Sequence, residues 1–240
     1  SGNQTPVNLV INNVRTINDL AGKIASQVEV DSSTLANYLK DPSFLNKFDL
    51  DAEDAMTLFI PNTYQVYWTV SPDALSERLS QEKIKFWESN DRVRKATDLN
   101  LTPAQVYTLA SIVERETQAG KERPTVAGLY LNRLKQGIPL QADPTVVFAT
   151  GIYDLRRVLN VHLEIDSPYN TYKYAGLPPG PIFMPSIQSI DAVLDAEKHD
   201  YLYMCARPDN SGLHAFAASL SAHNQNANRY RQWLNDRGIK

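Results

Sequence analysis

The segment LTPAQVYTLASIVERET, residues 101–117, places two carboxyl groups two residues apart on a stretch whose periodicity predicts a helix. Thr102, Pro103 and Gln105 supply an N-cap, a first-turn proline and a capping-box partner. At about 100° per residue, Val106, Leu109, Ala110 and Val113 form one apolar stripe and Arg115 points away from it, to solvent. Glu114 and Glu116 fall about 80° to either side of that stripe. A carboxyl group on such a flank is partly desolvated, which raises its pKa and keeps it able to donate a proton near neutral pH. Periodicity does not choose between the two, and either one equally suits the plain border of an amphipathic helix.

Three further segments carry polar chemistry. LQADPTVVFATG, residues 140–151, sets Asp143 before Pro144, an arrangement suited to capping the helix that follows. SPYNTYKYAGLPPGPIFMPS, residues 167–186, offers Tyr169, Asn170, Thr171 and Tyr172 beside a loop pinned by Pro178, Pro179, Gly180 and Pro181. Tyrosine faces stack on pyranose rings while their hydroxyls bond to them, and prolines reduce the entropy lost on binding. The same composition also suits a rigid surface loop packed by its own aromatics. GLHAFAASLSAHNQ, residues 212–225, holds His214 and His223 nine residues apart, and with His162 and His199 elsewhere no metal-ligand spacing results. No metal, nucleotide or redox cofactor is expected.

The elements that must position these groups differ between the two parts of the chain. Residues 1–100 contain 4 Pro, 2 Gly and 3 Tyr with a charge of −4, whereas residues 101–240 contain 10 Pro, 8 Gly and 9 Tyr with a charge of +1. The second part therefore has the shaped loops that sites are made from. In the first, VNLVI (7–11) reads as a strand. Thr16 with Asp19 starts one helix, and Ser32 or Ser33 starts another. TLFIP (57–61) and YQVYW (64–68) read as strands. The resulting βααβ order looks like a LysM module, a small glycan-binding unit. Ser71 and Pro72 open a connecting helix to about Ser89, with Leu75, Leu79, Ile84 and Trp87 as its apolar members, and DRVRKATDLN (91–100) suits an exposed hinge. The expected class is α+β, with a LysM-like unit over 1–62, a connecting strand and helix over 63–100, and a larger mixed α/β catalytic domain over 101–240.

Composition narrows the function classes. With 42% hydrophobic and 21% charged residues the chain is globular, and a net charge of −3 gives no general attraction to nucleic acid or anionic lipid. The single cysteine, Cys205 in the run YLYMCA, excludes an internal disulfide and suits a small buried hydrophobe in a strand. No apolar run approaches a membrane span. Ser1-Gly2 has the look of a remnant of proteolytic cleavage, so an anchor or signal ahead of it is expected.

Five blocks in order, LASIVERET, ERPTVAGLYLNRL, LQADPTV, SPYNTY and GLPPGPI, resemble the MltG (YceG-like) family of endolytic peptidoglycan transglycosylases, over roughly residues 55–230. The resemblance implies that Glu114, which closes the ASIVE block, is the catalytic acid. Cleavage of the β-1,4 bond between N-acetylmuramic acid and N-acetylglucosamine would leave a 1,6-anhydro end, Glu114 acting first as acid and then as base. It also implies that Gln141, Asp143, Thr145, Tyr169, Asn170, Thr171, Tyr172, His214, His223 and Asn224 face the glycan. The implied setting is a single N-terminal span with the catalytic part on the outer face of the cytoplasmic membrane. There it would terminate nascent strands beside peptidoglycan synthases, with no nucleic-acid partner. Met184-Pro185-Ser186, Ala217 and Ala222 depart from the family pattern and put the cleft rim in question. Two other readings stand beside this one: a non-catalytic wall-binding scaffold, and a hydrolytic muramidase pairing Glu114 with Asp143 or Glu116.

Overall fold

In the computed structural model, which describes residues 6–155 and 157–238, helices alternate with loops and the strands form two separate two-stranded sheets. The chain divides into two compact units, residues 1–112 with 178–194 and residues 113–177 with 195–240. Composition suggests a break near residue 100; the division instead falls within the helix that carries Glu114, and the proline loop is lent to the first unit. That loan has a local cause. Buried Ser111 accepts the Ile182 N–H at 3.0 Å, and a Cβ on Gly180 would come within 1.9 Å of the Glu53 carbonyl oxygen, so only glycine allows the approach.

The first unit begins with β1 (Pro6–Ile11), α1 (Ile17–Ala25), α2 (Ser32–Lys40), a short α3 (Pro42–Leu45) and β2 (Asn62–Tyr67). The strands pair antiparallel from Pro6 opposite Tyr67 to Ile11 opposite Asn62, which realises the βααβ order. Thr16 and Asp19 form the expected capping box on α1, and Asp31 caps α2. TLFIP is not a strand. Residues Ala55–Leu58 make a 3-10 turn and Thr57–Ile60 are buried, so their apolar character reflects burial and not pairing. Next come α4 (Pro72–Glu88), whose Ile84 is 55% exposed and not a core member, and α5 (Arg92–Asp98). DRVRKATDLN is no exposed hinge, because buried Arg92 pairs with Asp191 at 2.7 Å and ties the segment into the first unit. In α6 (Pro103–Glu116) the Thr102 and Gln105 box closes at 2.9 and 3.2 Å, and the four stripe residues are fully buried.

The second unit contains α7 (Arg123–Lys135), α8 (Asp143–Thr150) and a single-turn α9 (Asn160–Leu163). After α10 (Ile187–Leu194), which belongs to the first unit, it continues with β3 (Tyr203–Ala206), β4 (His214–Ala217) and α11 (Leu220–Asp236). β3 and β4 pair antiparallel, Ala206 opposite His214, and α11 packs along both. β3 is half-buried and not enclosed, and Cys205 with it, because one side of the ribbon faces a cavity. Gly128 brings α7 against the chain beyond α10, where a Cβ would sit 2.3 Å from the Glu197 carbonyl oxygen. Among the described residues no helix is long and apolar enough to cross a membrane.

Candidate active site

The second unit encloses a cavity of about 380 Å³ walled by the end of α6, one face of α7, the start of α8, the β3 strand and the first turn of α11. Polar side chains converge there: Glu116, Tyr130, Arg133, Gln141, Asp143, Tyr172, His214 and His223. The volume falls within the ~300–1,000 Å³ of sites that bind small molecules.

Glu116 is the last residue of α6, and capping at Thr102 sets the helix phase that turns it inward. Its Oε1 accepts the Tyr130 hydroxyl at 2.6 Å. Loss of water around the carboxyl pushes its pKa up to about 7; the Tyr130 hydrogen bond opposes this, and the negative charge of Asp143 adds to it. Burial holds the Tyr130 phenol well above its ordinary range, so it remains a donor.

Tyr130 and Arg133 lie one turn apart on α7 and therefore share a face. Buried Arg133 spreads its guanidinium over the carbonyls of Leu202, Pro139 and Leu140 and over Gln141 Oε1, at 2.7 to 3.2 Å. Gln141 adopts a left-handed φ of 53°, and that turn delivers the chain to α8. Ala142 takes the cap position of α8, and Asp143 stands in its first turn. The capping role read from Asp143-Pro144 is thus not taken: the carboxylate accepts the Tyr172 hydroxyl at 2.6 Å instead. Burial, followed by the Asp143 hydrogen bond, raises the Tyr172 pKa above its ordinary value.

On the opposite wall, His223 stacks on Tyr203 with ring centroids 5.4 Å apart, and its buried Nδ1 meets no hydrogen-bonding group among the described residues. Burial, with Arg133 and Arg231 nearby, lowers its pKa and keeps the ring neutral. His214, at the end of β4 nearest Ala206, gives its main-chain N–H to Glu122 Oε1 at 2.8 Å and sets Nδ1 3.1 Å from Oε2.

The structure gathers Gln141, Asp143, Tyr172, His214 and His223 into this cavity. The other residues anticipated from sequence lie elsewhere. Glu114 does not line the cavity; its carboxylate forms an ion pair with Arg123 at 3.2 Å, both side chains being mostly buried. Thr145 and Thr171 are buried, their hydroxyls 2.8 Å apart, and they join α8 to the YNTY turn. Asn170 is fully buried: its amide donates to the Leu163 and Ile165 carbonyls, and its Oδ1 accepts the Tyr172 N–H. Tyr169 packs on Phe148 with centroids 4.7 Å apart, and Asn224 is exposed on α11. Asn170 thus orients the turn that presents Tyr172. Asn170→Ala should cost about 1 to 3 kcal/mol, since it removes a buried side chain that bonds two half-buried carbonyls. A melting curve unchanged from wild type would contradict this role.

Tyr130, Arg133 and Glu122 are not picked out as site residues from sequence; their signals are their place in the ERPTVAGLYLNRL block and the one-turn spacing of Tyr130 and Arg133 on α7. Among the described residues no three of His, Cys, Asp and Glu come together in a way that could hold a metal ion.

Comparison with known proteins places this geometry among relatives. A family model described as YceG-like matches residues 1–229. An endolytic murein transglycosylase of Bacillus subtilis strain 168 is 32% identical over 238 residues, covering 92% of this chain and 64% of that protein. One from Streptococcus pneumoniae R6 is 29% identical over 181 residues, covering 73% of this chain and 32% of that protein. The chain therefore spans less than two thirds of either relative's length. The crystal structure of a YceG-like protein from Listeria monocytogenes superposes with a TM-score of 0.76 at 29% identity, over 92% of this chain and 75% of that one.

Proposed function

Because the chain belongs to the YceG-like family, we propose that it acts as an endolytic murein transglycosylase, with Glu116 as its proton donor. The observation that carries the reading is a desolvated carboxyl, with its pKa at about 7, on the wall of a cavity of sugar size. At neutral pH a large share of Glu116 is protonated, as protonation of a glycosidic oxygen requires. The acid role expected of Glu114 passes in this reading to Glu116, since Glu114 is engaged with Arg123 away from the cavity.

In the proposed reaction Glu116 gives its proton to the oxygen leaving C1 of N-acetylmuramic acid. The C6 hydroxyl of the same sugar closes on C1 and forms the 1,6-anhydro ring, and the proton released by that hydroxyl restores Glu116. No water is consumed. Asp143, held by Tyr172, supplies negative charge beside the developing oxocarbenium ion. Neutral His223 and the stacked face of Tyr203 suit the uncharged sugar rings. Such a reaction serves strand termination next to peptidoglycan synthases, on the outer face of the cytoplasmic membrane behind an N-terminal anchor.

One observation favours a hydrolytic reading: a second carboxylate, Asp143, lines the same cavity. A scaffold without catalysis would not need a desolvated acid. Mass spectrometry of products from purified uncrosslinked glycan strands decides among the three. Fragments lacking one water are expected; fragments retaining it would establish hydrolysis, and intact strands would leave only binding.

A further inference from the structure

Glu122 and His214 form an arrangement that the acid role of Glu116 leaves unused. Glu122 is 8% exposed, in the turn between α6 and α7, and its carboxylate receives three groups: the His214 main-chain N–H at 2.8 Å, His214 Nδ1 at 3.1 Å and the Thr117 hydroxyl at 3.3 Å. An ionised carboxylate only accepts hydrogen bonds, so the His214 proton resides on Nδ1. Nε2 then carries the lone pair. It meets no hydrogen-bonding group among the described residues and is not among their sealed polar atoms, and His214 lines the same cavity as Glu116.

From this geometry we infer that His214 relays the proton in the proposed transglycosylation and that Glu122 is the residue that positions it. The inference rests on the glycan-cleaving reading. As the C6 oxygen of the muramic sugar bonds to C1, its proton passes to His214 Nε2. The bond from C1 to the leaving oxygen breaks, and that oxygen takes the Glu116 proton. The imidazolium, stabilised by the Glu122 carboxylate, then returns its proton to the Glu116 carboxylate, so both groups regain their starting states. Glu122 touches no reacting atom; it acts through the ring it holds.

The test uses Glu122→Gln, which keeps the shape and an acceptor for the His214 main-chain N–H but turns an amide donor towards Nδ1, favouring the tautomer with the proton on Nε2. Imidazole 15N shifts report the tautomer without reference to activity. The expected result is Nδ1–H in wild type, a shift to Nε2–H in Glu122→Gln, and a kcat lower by about 10²- to 10⁴-fold, the range of a lost general base, with KM changed less than about threefold. His214→Gln should lose a similar factor in kcat, and melting curves screen both variants for folding. A wild-type proton on Nε2, an unchanged kcat in Glu122→Gln, or a rise in KM alone overturns the relay. Failure of the underlying reading looks different: wild type then yields no fragments, or Glu116→Gln cleaves as wild type does.

Discussion

Glu116→Gln is expected to lower the rate of glycan cleavage by about 10²- to 10⁴-fold, the range that general acid catalysis contributes. Glu114→Gln is expected to stay within about tenfold of wild type. The two glutamates differ in surroundings and not in chemistry. Glu116 faces the cavity, with Tyr130 donating to it and Asp143 adding negative charge nearby, whereas Glu114 faces Arg123. A glutamine at 116 still accepts the Tyr130 hydroxyl but has no proton to give. A glutamine at 114 weakens a mostly buried ion pair, so its cost should appear in the melting temperature. Rates for both variants on the same strands check the pair. Full activity in Glu116→Gln together with loss in Glu114→Gln would return the acid role to position 114.

The pH dependence is the second large effect. Because the proposed reaction uses protonated Glu116, its rate should fall about tenfold per pH unit above about 7, and this limb should vanish from the residual rate of Glu116→Gln. Stability follows with a definite sign. The carboxyl is raised from an ordinary 4.5 to about 7 on folding, so between those values the folded chain holds a proton that the unfolded chain has released. Stability therefore declines as pH rises through that window, by at most about 3 kcal/mol once pH 8 is reached. Glutamine escapes the penalty. Glu116→Gln should melt several degrees above wild type at pH 8, with the gap closing near pH 4.5. Equal melting temperatures at both pH values would mean that Glu116 is not desolvated.

How far these features could be read in advance varies with the range of the forces behind them. The capping box at Thr102 and Gln105, the apolar stripe of α6 and the βααβ order of the N-terminal unit all depend on neighbours within one or two turns. They were legible for that reason. TLFIP misled because an apolar run looks the same whether it pairs as a strand or is simply buried. DRVRKATDLN misled because its charges suggest solvent, while Arg92 finds its partner 99 residues away at Asp191. The YNTY turn misled in the opposite direction. Its polar letters suggested contacts with a ligand, yet Asn170, Thr145 and Thr171 spend their hydrogen bonds on the backbone and on one another.

By itself, the sequence determined that two carboxyl groups flank a buried helical stripe, and that a capped helix, a second helix start at Asp143-Pro144 and a tyrosine-rich turn surround them or follow nearby. The resemblance carried by its sequence blocks made peptidoglycan the expected substrate class. The surroundings that tell Glu114 from Glu116 belong to the tertiary structure alone. Both flanks of a helix are equivalent until other elements cover them, and here α7 brings Arg123 to one flank and Tyr130 to the other. Arg123 gives the Glu114 carboxylate a partner, while loss of water raises the pKa of Glu116, and that difference in surroundings is why the proposed acid role falls to Glu116.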